Sequence, residues 1–186
     1  MGGPVTGFVN NVLELIGNTP LISLTSLAQP GSAQVLGKLE AKNPGGSVKD
    51  RVALAMVEDA EATGVLQPGY TIVEPTGGNM GVSLALVGAA KGYPVLIVMP
   101  EGVSLQLRNL LSRLNVAVQL TPSHMGMEGA RMAAGRIVEG KRDYVSLGQF
   151  DNPANPKAHR EGTGPEIWEQ MEHDVDAVIC GVGSGG

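Results

Sequence analysis

The stretch NPGGSVKDR, residues 43–51, sets one lysine, Lys49, behind a glycine-rich approach and at the head of an apolar helical run. Ser47 has the chemistry of an N-cap, and Asp50 stands three positions on, the spacing of a capping box ahead of the apolar run 52–57. Lys49 therefore falls in the first turn, where the positive end of the helix dipole disfavours a cation by roughly 0.3–1 kcal/mol. That position suits a lysine that must be neutral, because an amine attacks a carbonyl only when deprotonated. A solvated lysine paired with Asp50 or Glu40 fits the local spacing as well, so both readings stand on this stretch alone.

Working outward, the helix after Lys49 carries Val52, Met56 and Ala60 on one stripe and closes at Gly64. Upstream, the pattern predicts a short helix over 9–15, a turn at Gly17 to Pro20, and strands over 21–24 and 34–40. Downstream it predicts strands over 71–73, 95–99, 116–120 and 144–147, alternating with helices over 82–91, 105–114 and 128–139. Ser104 and Gly92 mark helix ends. Strands alternating with helices through short connections imply an α/β fold whose mostly parallel sheet is covered on both faces, with ligands at the strand C-terminal ends.

Composition narrows the function. A net charge of -5 with no basic run argues against a nucleic-acid surface. No apolar run reaches the length of about 18 residues that a membrane span needs, and residues 1–10 lack a signal-peptide pattern, so a cytoplasmic location is expected. The single Cys180 excludes an internal disulfide, and His124, His159 and His173 share no zinc-like spacing with it. No metal is expected, and the three histidines read first as solvated residues. With 27 glycines and 3% aromatic residues, binding falls to backbone-lined loops, which suits an anionic small molecule.

Three loops follow strand-like runs. Thr76, Gly77, Gly78, Asn79, Met80 and Gly81 lie between a strand and a helix, where backbone N–H groups and the helix dipole converge on an anion; a tight turn that needs glycine only for its geometry is the alternative. GVGSGG, residues 181–186, follows the apolar run 177–180, which reads as a buried strand with Cys180 as a small apolar residue. The loop fits the dinucleotide pattern G-x-G-x-x-G only weakly, and a single phosphate is the other ligand it suits. In GQFDNPANP, residues 148–156, Gln149 either faces a ligand or is an exposed loop amide.

Taken together, these stretches resemble the pyridoxal-phosphate (PLP) enzymes of the cysteine synthase (O-acetylserine sulfhydrylase) and cystathionine beta-synthase family. The matching blocks are IGNTPLISL (16–24), KLEAKNPGGSVKDR (38–51), EPTGGNMG (74–81), GQFDNPANPKAH (148–159) and TGPEIWEQ (163–170), followed by GVGSGG. The resemblance implies that Lys49 holds PLP covalently and that Asn79 bonds the ring hydroxyl oxygen. It implies that Thr76, Gly77, Gly78 and Met80 grip the amino-acid carboxylate with Gln149 nearby, and that Gly183, Ser184, Gly185 and Gly186 cradle the phosphate. It also implies a fold-type II, tryptophan synthase beta-like architecture of two doubly wound three-layer lobes. Residues 1–51 with 156–186 would belong to the larger lobe, incomplete in this chain, and 52–155 to a smaller inserted lobe whose closure gates the reaction.

The implied activity is β-replacement on an O-activated serine with sulfide, giving L-cysteine. Cystathionine beta-synthase-like condensation with homocysteine is the nearest rival. From other classes come a non-catalytic relative that binds a ligand or peptide, and a dinucleotide-binding module built on GVGSGG, which leaves Lys49 without a role. The resemblance further implies a homodimer, and a possible partner in the C-terminal peptide of an acetyltransferase. This sequence departs from the family in two ways. Gly77 and Met80 stand where serine and threonine are usual, so in a full-length context Met80→Thr is expected to tighten amino-acid binding about tenfold, equivalent to about 1.4 kcal/mol. Family members also continue past the phosphate loop, so the 186-residue chain alone is not expected to hold PLP productively.

Overall fold

The structure, a computed structural model, describes residues 7–24, 26, 29 and 31–186. Near the N-terminus a 3-10 turn, Val12–Leu15, is closed by a capping box between Asn11 and Glu14. Strands β1 (Leu21–Ser23) and β2 (Leu36–Lys38) then pair antiparallel, with Ile22 opposite Gly37. The main body follows as α1 (Lys49–Ala62), β3 (Thr71–Pro75), α2 (Asn79–Lys91), β4 (Val95–Pro100), α3 (Leu105–Arg113), β5 (Ala117–Thr121), α4 (Gly126–Glu139) and β6 (Tyr144–Val145). Last come α5 (Ala154–Ala158), a π-helical turn (His159–Thr163) and α6 (Gly164–Gln170).

Four strands form a parallel sheet in the order β5-β4-β3-β6, with Ile72 beside Val95, Ile97 beside Val118 and Thr71 beside Tyr144. The runs TIVEP and VLIVMP are almost wholly apolar because both faces of these strands are covered. Ile72, Ile97 and Met99 pack into one core with Val52, Met56 and Val57 of α1 and Leu84 and Val87 of α2. Val73 and Val98 point the other way, against Ala130 and Ala134 of α4. Each such buried aliphatic side chain contributes about 1.5–3 kcal/mol of transfer free energy, so these two layers fix where the strand ends, and with them the site, must lie.

Three sequence-based expectations change. Asp50 does not return a bond to Ser47: it is fully buried, accepting from Gly45 N at 2.6 Å and Ser83 Oγ at 2.5 Å, so it ties the head of α1 to α2. Nor is Ser47 the N-cap: Val48 holds that position, and Ser47, one place further out, accepts from Lys49 N through its Oγ at 3.2 Å and turns the chain into α1. Helix α2 begins at Asn79 rather than at 82, because Gly81 lets the helix start come down close to the sheet; a Cβ there would sit 3.3 Å from Thr76 Cγ2 and 3.6 Å from Ile97 Cγ1. The apolar run 177–180 forms no strand. A strand needs a neighbour to bond, and among the described residues none lies beside it, leaving Val178 67% and Ile179 97% exposed and Cys180 exposed.

Helix α6 is stitched to the N-terminal segment by a network of charges. The Arg51 guanidinium donates from Nη1 to Glu166 Oε1 at 2.6 Å, from Nη2 to Glu166 Oε2 at 2.7 Å and from Nε to Glu40 Oε2 at 2.8 Å. Lys38 Nζ reaches Glu166 Oε2 at 2.8 Å, and Asn18 N donates to Glu166 Oε1 at 2.9 Å. Burial works to raise the Glu166 carboxyl, but the bonds from Arg51, Lys38 and Asn18 outweigh it and hold the group at about 2 against an ordinary 4.5. A carboxyl depressed by folding stabilises the fold above its unfolded value and loses that contribution as pH falls through the folded one. Stability measured by urea unfolding is therefore expected to drop between about pH 4.5 and pH 2, and the drop should be smaller in Glu166→Gln than in the unaltered protein.

Candidate active site

Lys49 opens α1 with its side chain directed at the glycine loop: Nζ donates to Ser184 Oγ at 2.7 Å. Burial lowers the proton affinity of this amine below that of an ordinary lysine, and no carboxylate forms a salt bridge with it among the described residues. The solvated, acid-paired lysine considered from the sequence is thus absent, since Asp50 and Glu40 are engaged elsewhere.

Ser184 is held from a second side. Asn155, 1% exposed, donates from Nδ2 to Ser184 Oγ at 3.0 Å and to Gln149 O at 2.8 Å, while its Oδ1 is buried without a partner. A Cβ on Gly186 would overlap Asn155 Oδ1 and sit 3.0 Å from His159 Nε2, so only glycine passes between these side chains. The backbone N–H groups of Gly183, Ser184, Gly185 and Gly186 bond no acceptor among the described residues.

A second cluster gathers at the C-terminal ends of the strands. Loops following β3, β4 and β6 line a cavity of about 500 Å³, walled by Thr76, Gly77, Gly78, Val103, Met127, Gln149 and Phe150 among others. Thr76 Oγ1 accepts from Gly78 N at 3.2 Å and shapes the turn before α2. Gln149, 5% exposed, belongs to the wall rather than to an exposed loop. Behind it lies Glu74, fully buried, whose carboxylate accepts from Gly148 N and Gln149 N, each at 3.1 Å. Burial pushes this carboxyl above its ordinary value, and the two N–H bonds only partly offset that.

Asn79, the first residue of α2, is exposed. Met80 is different from what the loop pattern implied. It is 2% exposed and packs in the core between α1, α2 and the sheet, so its side chain does not wall the cavity. The earlier start of α2 turns this position inward. Met80→Thr is accordingly expected to lose roughly 2–5 kcal/mol of stability, the range for large-to-small core changes, rather than to tighten substrate binding tenfold. Thermal unfolding alongside ligand titration separates these two outcomes.

The histidines also divide. His124 and His173 are exposed, but His159 is half-buried beside the glycine loop, with Nδ1 2.9 Å from Thr163 Oγ1. Burial, with the cations of Lys49 and Arg51 close by, lowers its proton affinity. Asn155, His159 and Glu74 were not singled out from the sequence. The first two stand four apart, one helical turn, so helical spacing carried that signal; nothing local marks Glu74.

The residues around Lys49 fit PLP. A lysine amine of lowered proton affinity faces a glycine loop with free N–H donors and a serine hydroxyl, the donor set a phosphate monoester requires. Residues 12–186 match the family described as "Pyridoxal-phosphate dependent enzyme", and the chain belongs to that family, with a fold-type II architecture. It is 48% identical over 179 residues to cysteine synthase of Staphylococcus aureus (strain Mu50 / ATCC 700699), a match covering 96% of this chain and 57% of that protein. Among solved structures it is similar to a hydrogen sulfide-producing enzyme from Fusobacterium nucleatum, with TM-score 0.92 and 38% identity, covering 99% of this chain and 60% of that one. It is similar also to cysteine synthase from Entamoeba histolytica, with TM-score 0.91 and 37% identity, covering 99% and 56%. The chain thus spans a little over half the length of these relatives.

Proposed function

We propose that this chain carries the lysine, phosphate cradle and carboxylate loop of a cysteine synthase-like enzyme. In the reaction the Cβ–O bond of an O-activated L-serine breaks, the activating group leaves with the bonding pair, and sulfide forms the new Cβ–S bond of L-cysteine. The observation that carries the reading is Lys49 Nζ at 2.7 Å from Ser184 Oγ, a neutralisable amine against a free-donor glycine loop.

When bound, PLP supplies an electron sink for charge developing at the substrate α-carbon. Gly183, Ser184, Gly185 and Gly186 would hold its phosphate, and Asn79 would bond its ring hydroxyl oxygen. Lys49 is its anchor, and Nζ is the base that takes the α-proton, a role that its burial favours. Thr76, Gly77 and Gly78 orient the substrate carboxylate at the start of α2, where N–H groups lack helical partners, and Gln149 closes that pocket. Met80 contributes there through its backbone.

The same reading divides the chain into a larger lobe, 1–51 with 156–186, and a smaller one, 52–155, that closes over the carboxylate. It extends to a cytoplasmic homodimer, with an acetyltransferase C-terminal carboxylate competing for the substrate pocket. The apolar wall of Val103, Met127 and Phe150 supports a second reading, in which the thiol of homocysteine replaces sulfide. The tests use PLP-loaded protein in which the chain is completed to the length of the relatives it matches; the first supplies it with O-acetyl-L-serine and either sulfide or homocysteine and quantifies the products by mass. Cysteine from sulfide at the higher kcat/KM is expected. Preference for homocysteine moves the assignment to the second reading, and absence of both products contradicts the first two.

A further inference from the structure

We propose that Glu74 is a positioning residue, which holds Gln149 against the residue 76–78 loop so that the two walls of the carboxylate pocket keep one geometry. This role rests on the proposed function of that pocket. Glu74 is 0% exposed and makes no salt bridge among the described residues. A carboxylate buried without a cation costs several kcal/mol, so a side chain serving only to fill space would be apolar.

What Glu74 does bond is specific. Its two oxygens take two successive N–H groups, Gly148 to Oε2 and Gln149 to Oε1, across a turn where Gly148 has φ +64°. Two adjacent donors require two acceptors. A glutamine at 74 would offer one and set its own NH2 against the other N–H. Glu74 also lies two residues before Thr76 on the same strand end, so one side chain spans from the carboxylate loop to the facing wall.

The clamp continues past Gln149. Its carbonyl accepts from Asn155 Nδ2 at 2.8 Å, the same Nδ2 donates to Ser184 Oγ at 3.0 Å, and Ser184 Oγ accepts from Lys49 Nζ at 2.7 Å. Glu74 therefore stands at one end of a hydrogen-bonded line whose other end is the lysine. Moving the turn at 148–149 displaces the pocket wall, while Ser184 keeps its bond from Lys49 and with it the place of the cradle.

The experiment is a double-mutant cycle on PLP-loaded protein with Glu74→Gln, Gln149→Ala and the double variant. L-Serine is titrated as probe by its effect on the cofactor absorbance. Each single variant is expected to raise the dissociation constant about tenfold, and the double variant no further than the weaker single, because both disable one wall. In turnover, Glu74→Gln should raise KM more than it lowers kcat, with PLP affinity changed less than about twofold. An unchanged Kd in Glu74→Gln, or losses that multiply to about a hundredfold in the double variant, would overturn the role. If Glu74→Gln does not fold, Gly148→Ala strains the same turn with Glu74 intact; it should reproduce the rise in Kd, and an unaltered Kd there overturns the role equally. Unaltered protein that binds no L-serine would contradict the function assigned to the pocket itself, an outcome distinct from equal binding by variant and parent.

Discussion

Arg51→Leu is expected to destabilise the fold by about 3 kcal/mol, the lower end of the cost of stripping a buried cation from its carboxylates, because Glu40 and Glu166 are only partly buried. Arg51 is 7% exposed, and its guanidinium meets both Glu166 oxygens as well as Glu40 and, at 3.2 Å, Thr19 Oγ1. Burial disfavours the charged guanidinium, but the bonds to Glu166 and Glu40 more than compensate, so it stays ionised and its loss leaves Glu166 with Lys38 as its one cation and with the N–H of Asn18. Urea unfolding should show the midpoint fall. Limited proteolysis should show α6 cut first, since the bonds of Gln170 to Thr19 O and to Lys38, with the Lys38–Glu166 pair, are then left to hold it against the segment around Thr19. Arg51→Lys keeps the charge but not the planar fork and should recover only part of the loss. A change below about 1 kcal/mol in Arg51→Leu would mean the network is as weak as a solvated surface pair.

Lys49→Ala is expected to lower the turnover of O-acetyl-L-serine by at least about 10³-fold, because it removes both the anchor and the group assigned to move the α-proton. Stability should change little: Lys49 is half-buried and its side chain makes one hydrogen bond, to Ser184. Residual activity above about a tenth of the parent would sink the assignment.

Much of the fold was legible because its signals are local. Gly64 and Gly92 end α1 and α2 as expected, each in the left-handed region with φ of 73° and 81°, and the apolar runs at β3 and β4 became the two central strands. What failed depended on partners distant in the chain. Asp50 looked like a capping residue because Ser83, 33 positions away, is invisible to local spacing. Met80 reads as a loop residue when the glycine pattern alone extends the loop to 81; starting α2 at Asn79 rotates position 80 into the core.

The run 177–180 has strand composition, yet strand formation is a property of a pair, and no described strand lies beside it. For the candidate site, the glycine loops and Lys49 stood out through spacing and resemblance. Asn155 and His159 were hidden within a segment read as loop, though it folds as α5 and a π turn. Glu74, a single acid in an apolar strand, acquires meaning only when the 148–149 turn folds over it.

The central claim is that Lys49 is the residue that anchors PLP, and borohydride reduction of the PLP-loaded protein followed by peptide mapping tests it most directly. The account predicts a single pyridoxyl label on the peptide containing Lys49, lost in Lys49→Ala. A label on Lys38, Lys42 or any other lysine in the unaltered protein would contradict it.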